Sequence, residues 1–302
     1  MVVDSILSFL VASIFSWLVV YAIKPKLEIL FLDLPNLRSS HSKPTPRGGG
    51  ISFVIVGSLM HLLIYEGIGR WIPLICVPLA LVGLRDDYSS LPAGLRYLIQ
   101  VCTAGVLVVM AKPHFTGLEF IPLVIMVTAI INFTNFMDGI DGLLAGCGII
   151  LMASTSSWGI SGAVFGFLLW NWNPARIFMG DVGSTFIGSV FVGLALQETT
   201  QLKLIHILLI GFPLFADSGI CLLRRMAHRQ EIFKPHRLHL YQRLNKSGWS
   251  HKKVALLYIL STILLYISYK AWGPLMLFNS ILLVFFMGIY LDQKVAASFV
   301  DS

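Results

Sequence analysis

A chain of 302 residues with 56% hydrophobic side chains, 12% charged ones and a mean hydropathy of +0.81 carries more apolar surface than a water-soluble domain can bury, so it reads as an integral membrane protein. The net charge of +7 would suggest a polyanionic partner in a soluble protein. In a membrane protein it is first sorted by side, and no nucleic-acid partner is expected.

Apolar runs fall at 5–23, 50–65, 71–84, 95–111, 120–137, 143–157, 159–170, 184–197, 204–223, 254–269 and 273–291. The first follows Asp4 rather than a basic region and has no small-residue cleavage site after it, so it reads as a span and not a removed leader. The third, sixth and seventh are shorter than the roughly 20 residues that cross a bilayer and read as re-entrant, tilted or extended by polar ends. The pattern predicts an all-α polytopic bundle of ten or eleven transmembrane helices. No composition shift or long linker divides residues 1–302, which read as one domain. Cys76, Cys102, Cys147 and Cys221 lie singly in apolar runs, without CxxC or CxxH spacing, and read as packing residues.

Alternating the loops across the membrane places 18 of the 22 Lys and Arg on one face and leaves Arg70, Lys112, Lys203 and Lys270 on the other. The positive-inside rule makes the rich face cytoplasmic, with the N-terminus external and, for eleven spans, the C-terminus inside. Asp86, Asp87, Asp138, Asp141 and Asp181 fall on that same face, whereas the external loops hold Asp4, Glu66, Glu119 and Glu198. Acids and bases gathered at helix ends predict an interfacial active site rather than a transmembrane ion path.

In chain order, PTPRGGG (Pro44 to Gly50) sets Arg47 and three glycines at a helix start, suiting close approach of phosphate to backbone. Asp86 and Asp87 end the third run, with Arg96 and Gln100 beginning the next. One aspartate reads as a base or orienting group for a phosphate nucleophile that Arg96 binds, against the plainer reading of a charged loop. NFTNFMDGIDG carries Asn132, Asn135, Asp138 and Asp141 every third residue, too widely spread to share one face of a continuous helix. Gly139 and Gly142 predict that the helix loosens near Asp138 and lets Asp141 curl back toward the amides. Such hard oxygen ligands suit Mg²⁺ with retained waters and phosphate oxygens.

MGDVGS (Met179 to Ser184) opens another run. A carboxylate at a helix start would repel phosphate unless it held a metal, so Asp181 reads as a Mg²⁺ ligand, with a simple cap as the alternative. Asp217 lies inside the ninth run, where a carboxylate costs roughly 2.5–3.5 kcal/mol, and reads as an inward-facing supporting group or a ligand. The basic stretch Arg224 to Lys253 contains KPHRLHLYQRL. His236 and His239 suit a shared helical face, but zinc would need ligands this loop lacks, having no Cys and only Glu231 as an acid. Phosphate or nucleotide binding fits the loop better, with lipid headgroup binding as the rival.

Together RSSHSKPTPRGGG, the Asp86-Asp87 pair with Arg96 and Gln100, NFTNFMDGIDG, NPARIFMGDVGS and PHRLHLYQRL resemble, in order and spacing, the polyprenyl-phosphate N-acetylhexosamine-1-phosphate transferases (glycosyltransferase family 4). The resemblance implies transfer of sugar-1-phosphate from a UDP-N-acetyl sugar to undecaprenyl phosphate in the bacterial inner membrane, with release of UMP and a requirement for Mg²⁺, for which Mn²⁺ would substitute. It implies Asp181 as the metal-binding aspartate and Asp86 and Asp87 as the pair beside the lipid phosphate. Asn135, Asp138 and Asp141 would lie on the nucleotide and diphosphate side. His236, Arg237 and His239 match the family's histidine loop, which Arg237 interrupts here.

Direct attack by the lipid phosphate is expected, rather than a covalent aspartyl intermediate. The PHRLHLYQRL form resembles the branch that initiates O-antigen or related surface polysaccharide, implying UDP-N-acetylglucosamine or a UDP-N-acetylfucosamine-type donor. A homodimer is carried as an expectation. An ion-coupled transporter would instead show mid-span acids and a repeated half-sequence. A CDP-alcohol phosphotransferase would place an Ala-Arg soon after Asp138-Gly139, where this chain has Ile140-Asp141.

Overall fold

A computed structural model describes residues 2–35, 43–111, 117–231 and 236–299. The segments around Arg38, Lys112 and Lys234 lie outside them, so nothing is said of their structure. Thirteen helices form among the described residues: α1 (Val2–Leu30), α2 (Ile51–Ile64), α3 (Ile72–Tyr88), α4 (Ala93–Val109), α5 (Phe120–Phe136), α6 (Leu143–Ser154), α7 (Trp158–Asn171), α8 (Asp181–Ala195), α9 (Gln201–Ile210), α10 (Phe212–Ala227), α11 (Leu240–Lys246), α12 (His251–Trp272) and α13 (Pro274–Lys294). A two-residue pairing of β1 (Leu32–Asp33) with β2 (Thr45–Pro46) ties the segment before Arg47 to the end of α1.

Ten apolar runs each become one helix, but the ninth becomes two, α9 and α10, meeting at an angle of 80°. Pro213 explains the break, because it has no N–H to give to the preceding turn and its ring crowds a continuing helix. Among the described residues five helices are long and apolar enough to cross a membrane, and the bent pair makes a sixth if counted as one. The chain is therefore an α-helical, multi-pass membrane protein. Helices α2, α4, α6 and α8, with 14, 17, 12 and 15 residues, reach only about 18–26 Å at 1.5 Å per residue, short of a hydrocarbon core of about 30 Å.

Helix α8 is the buried axis, with every residue from Val182 to Ala195 enclosed, and it packs chiefly against α3 and α5. Its start is a crossing of three backbones. A Cβ on Gly83 of α3 would lie 2.6 Å from the Asp181 carbonyl oxygen, and one on Gly50 would lie 2.5 Å from the Gly183 Cα. Gly48, Gly49 and Gly50 are all buried, and the Gly49 and Gly50 N–H groups donate to Phe178 O and Met179 O, both at 3.0 Å. Gly83→Ala is expected to cost about 1–3 kcal/mol or more, since rigid backbone and not a side chain must yield. Thermal unfolding in detergent measures this, and an unchanged midpoint would contradict the crossing.

The other side of the molecule is fastened by Asp292 of α13. It accepts two hydrogen bonds from Arg224 of α10 (2.9 and 2.6 Å) and another from Arg243 of α11.

Candidate active site

The first N–H groups of a helix have no partners within it. At the start of α8 those of Asp181 and Val182 donate to the Asp87 carboxylate, at 3.1 and 3.3 Å, across from α3. Gly180 permits this: its φ of 74° is left-handed, and a Cβ there would sit 2.3 Å from Asp87 Oδ2. Asp87 is consequently buried, and its carboxylate is spent on holding α8. Asp86 accepts from Leu91 N–H (2.6 Å) and Arg96 Nη1 (2.8 Å). The same Arg96 nitrogen lies 3.6 Å from Asp181 Oδ2, so this arginine stands between the two carboxylates. Arg47 Nε is buried without a hydrogen-bond partner, and its charge acts on both Asp87 and Asp181.

The helix carrying NFTNFMDGIDG ends at Phe136, as the glycines suggest. Asn132 Nδ2 donates to Gln100 Oε1 and to Thr128 O, both at 2.8 Å, and Asn135 Oδ1 accepts from the Ser184 hydroxyl at 2.6 Å. Burial, then the charges of Asp181, Asp87 and Asp141, push the Asp138 carboxyl well above the usual carboxylate range.

Asp141 does not curl back toward the amides. It faces the loop after α7, accepting from Asn173 Nδ2 (2.9 Å) and Ala175 N–H (3.1 Å), with His251 Nδ1 at 3.3 Å. The reason is local: Gly142, at φ 73°, reverses the chain, and its N–H is claimed by Asn171 Oδ1 at 3.0 Å. Burial opposes ionisation of Asp141, but His251 and Asn173 together hold its carboxyl below the usual range.

The histidine loop is placed by the same device as α8. Asp217 of α10 accepts from the N–H groups of Leu240 (2.7 Å) and Tyr241 (3.1 Å), the first residues of α11, and from the Tyr258 hydroxyl (2.7 Å). His239, just before α11, has its Nδ1 3.7 Å from Asp217 Oδ1. Burial would depress this imidazole, but the Asp217 carboxylate lifts it to about 9. His236, with its ring centroid 5.0 Å away, is pushed down to about 4 by burial and by the charges of His239 and Arg225. One imidazole is thus cationic at neutral pH and its neighbour is not. Tyr241 reaches under the α5 terminus and donates to Phe136 O at 2.9 Å.

A cavity of about 330 Å³ opens between these parts. Of the residues singled out in the sequence, Arg96, Gln100, Asn132, Asn135, Asp181, His236 and His239 line it. Arg47, Asp86, Asp87 and Asp138 stand behind that wall, within electrostatic reach of Asp181 or of its partner Arg96. Asp141, Asp217 and Arg237 do not line it. Tyr97, Thr185, Ser218 and Gln242 line it without having been singled out. Gln242 carried a signal, the three-residue offset from His239, whose N–H it accepts at 3.3 Å. His251 carried none.

Among the described residues Asp181 is the sole carboxylate lining the cavity, and no three carboxylates bring their oxygens within 4.8 Å of one another. This donor set suits a hard cation that takes one or two carboxylates and fills its shell with water and phosphate oxygens, and not one caged by protein alone.

Residues 71–199 match the family described as glycosyl transferase family 4. A protein of Bacillus subtilis (strain 168) named probable undecaprenyl-phosphate N-acetylglucosaminyl 1-phosphate transferase is 29% identical over 96% of this chain and 92% of its own length. The undecaprenyl-phosphate alpha-N-acetylglucosaminyl 1-phosphate transferase of Salmonella typhi is 30% identical over 85% of this chain and 80% of its own. The phospho-N-acetylmuramoyl-pentapeptide-transferase of Synechococcus sp. (strain RCC307) is 30% identical over 82% and 83%. With relatives of 30% identity matched along most of both sequences, and the family's own pattern covering the part of the cavity wall that holds Arg96, Asn132, Asn135 and Asp181, this chain belongs to glycosyl transferase family 4.

Proposed function

We propose that the protein transfers N-acetylaminosugar-1-phosphate from a UDP-sugar to undecaprenyl phosphate, giving the lipid diphospho-sugar and UMP. The observation that carries this reading is the cavity's single carboxylate, Asp181, set against Arg96 and the charged His239. The names of the relatives favour an N-acetylglucosamine donor, and initiation of O-antigen or another surface polysaccharide is the role we assign. The cavity opens to the cytoplasm, the N-terminus is external, and the short helices complete ten or eleven crossings within the bacterial inner membrane.

Two anionic phosphates must meet in this reaction, so their repulsion has to be offset. Arg96, steered by Asp86, binds the lipid phosphate, with Arg47 adding charge from behind. Asn132, Asn135 and His239 orient the diphosphate and nucleotide, with His236 beside them and Arg237 adding positive charge from outside the cavity wall. An oxygen of the lipid phosphate attacks the β-phosphorus of the donor as the bond to the bridging oxygen breaks, and UMP departs with that oxygen. Asp181, with the Asn135 amide nearby, would hold Mg²⁺, or Mn²⁺ in its place, which supplies charge neutralisation of the diphosphate and the leaving group when bound. Asp87 keeps α8 and hence Asp181 in position, and Asp138 stands behind Asp181 on the metal side. Asp141 fixes the turn before α6.

Membranes containing the protein, given labelled UDP-N-acetylglucosamine and undecaprenyl phosphate, are expected to form a labelled lipid and UMP in equal amounts. Chelation by EDTA should stop this, and added Mg²⁺ should restore it. Release of UDP, or turnover undiminished by EDTA, would overturn the reading.

A further inference from the structure

The histidine loop alone lacks the ligands for a soft metal, but the fold supplies the missing one. Cys221, one turn beyond Asp217 on α10, is buried beside the loop. One ligand atom from each of Cys221, His236 and His239 lies within 4.8 Å of the other two. We propose that Cys221, His236 and His239 form a second metal site, for Zn²⁺ or a cation of similar softness, separate from the Asp181 centre.

The chemistry of the set points this way. A thiolate and two imidazoles are ligands that a borderline-soft cation prefers and Mg²⁺ does not. Zinc bonds of about 2.3 Å to sulfur and about 2.0–2.1 Å to nitrogen would bring the three atoms to roughly 3.3–3.6 Å from one another.

Behind His239 stands a carboxylate, an arrangement typical of metal-bound histidines, where an outer acid orients the ring. His239 is 4% exposed, and its Nδ1 has no hydrogen-bond partner although Asp217 Oδ1 is 3.7 Å away. The Leu238 N–H donates to His236 Nδ1 at 3.3 Å, which holds that ring beside His239.

With three protein ligands, the fourth position opens toward the cavity that His236 and His239 line. Zinc there withdraws both histidines from the donor substrate and acts as an inhibitor, a consequence that rests on the proposed transferase reaction.

The test has two arms. Full-length protein in detergent with excess Mg²⁺ is titrated with Zn²⁺ and assayed for bound metal, then with Co²⁺ and scanned for the near-ultraviolet thiolate-to-cobalt band. One Zn²⁺ per chain and a thiolate band are expected, and Cys221→Ser should abolish the band. The same variant should weaken Zn²⁺ by more than the roughly 10–100-fold that loss of an outer partner costs. Absence of the band in the unaltered protein, or a band and affinity indifferent to Cys221→Ser, overturns the site.

In the second arm Zn²⁺ should inhibit UMP release by the unaltered enzyme and leave the Cys221→Ser enzyme active. Equal inhibition of both would refute the inhibitory role. If neither protein turned over, the transferase reading would have failed while the metal-binding arm still decided the site.

Discussion

Asp181→Asn is expected to lower kcat for UMP release by about 10²–10³-fold while leaving the protein at least as stable as before. The two effects separate because the side chain and the backbone of Asp181 do different work. Its N–H is what Asp87 holds at 3.1 Å, and an asparagine presents the same N–H, so α8 begins where it did. Its carboxylate faces the cavity beside Asp86 and within reach of the charge of Asp138, with Arg96 3.6 Å away as partial compensation. Removing one negative charge from that group relieves repulsion in the folded state, as is common where a site is arranged for reaction at a cost in stability. Thermal unfolding and UMP release on one preparation measure both. A variant that stays active at the original Mg²⁺ requirement would remove Asp181 from the metal side, and one that unfolds would show its carboxylate to be structural.

Much of this arrangement was legible in the sequence. Eleven apolar runs became helices at their stated places, because long apolar stretches with few breakers have one economical solution in a membrane. Only the ninth broke, and Pro213 was the visible cause. Seven of the polar residues singled out share one cavity, for polar groups at helix ends are costly to place and so mark their own site.

What could not be read was direction. Asp86 and Asp87 are neighbours, but on a helix adjacent side chains diverge, sending one to Arg96 and the other to the start of α8. Asp141 turned away because Asn171 and Asn173, some 30 residues on, bind its turn, and no local pattern encodes such partners. Nor could the neighbours of Cys221 be read: His236 and His239 arrive beside it only when Asp217 draws α11 against α10.

Asp217 also sets the second large effect, since Asp217→Asn is expected to lower transferase activity sharply and to destabilise the loop by about 2–3 kcal/mol. The carboxylate serves Leu240, Tyr241 and Tyr258 at 2.7–3.1 Å, and a carboxamide has one acceptor oxygen where the carboxylate has two. Its NH₂ would therefore face an N–H or O–H already donating. The variant also removes the charge that raises His239, so burial prevails and the ring loses its proton near neutral pH.

That change has a defined pH signature. His239 is lifted from 6.5 to about 9 in the folded protein, so the stability its charge contributes is complete below about pH 6.5 and is lost as pH rises through about 9. Unfolding midpoints of the unaltered protein should fall over that interval, and the difference from Asp217→Asn should narrow as they do. A gap that stays constant from pH 6 to pH 9.5 would mean that Asp217 acts through its hydrogen bonds from Leu240, Tyr241 and Tyr258 alone, with His239 uncharged throughout.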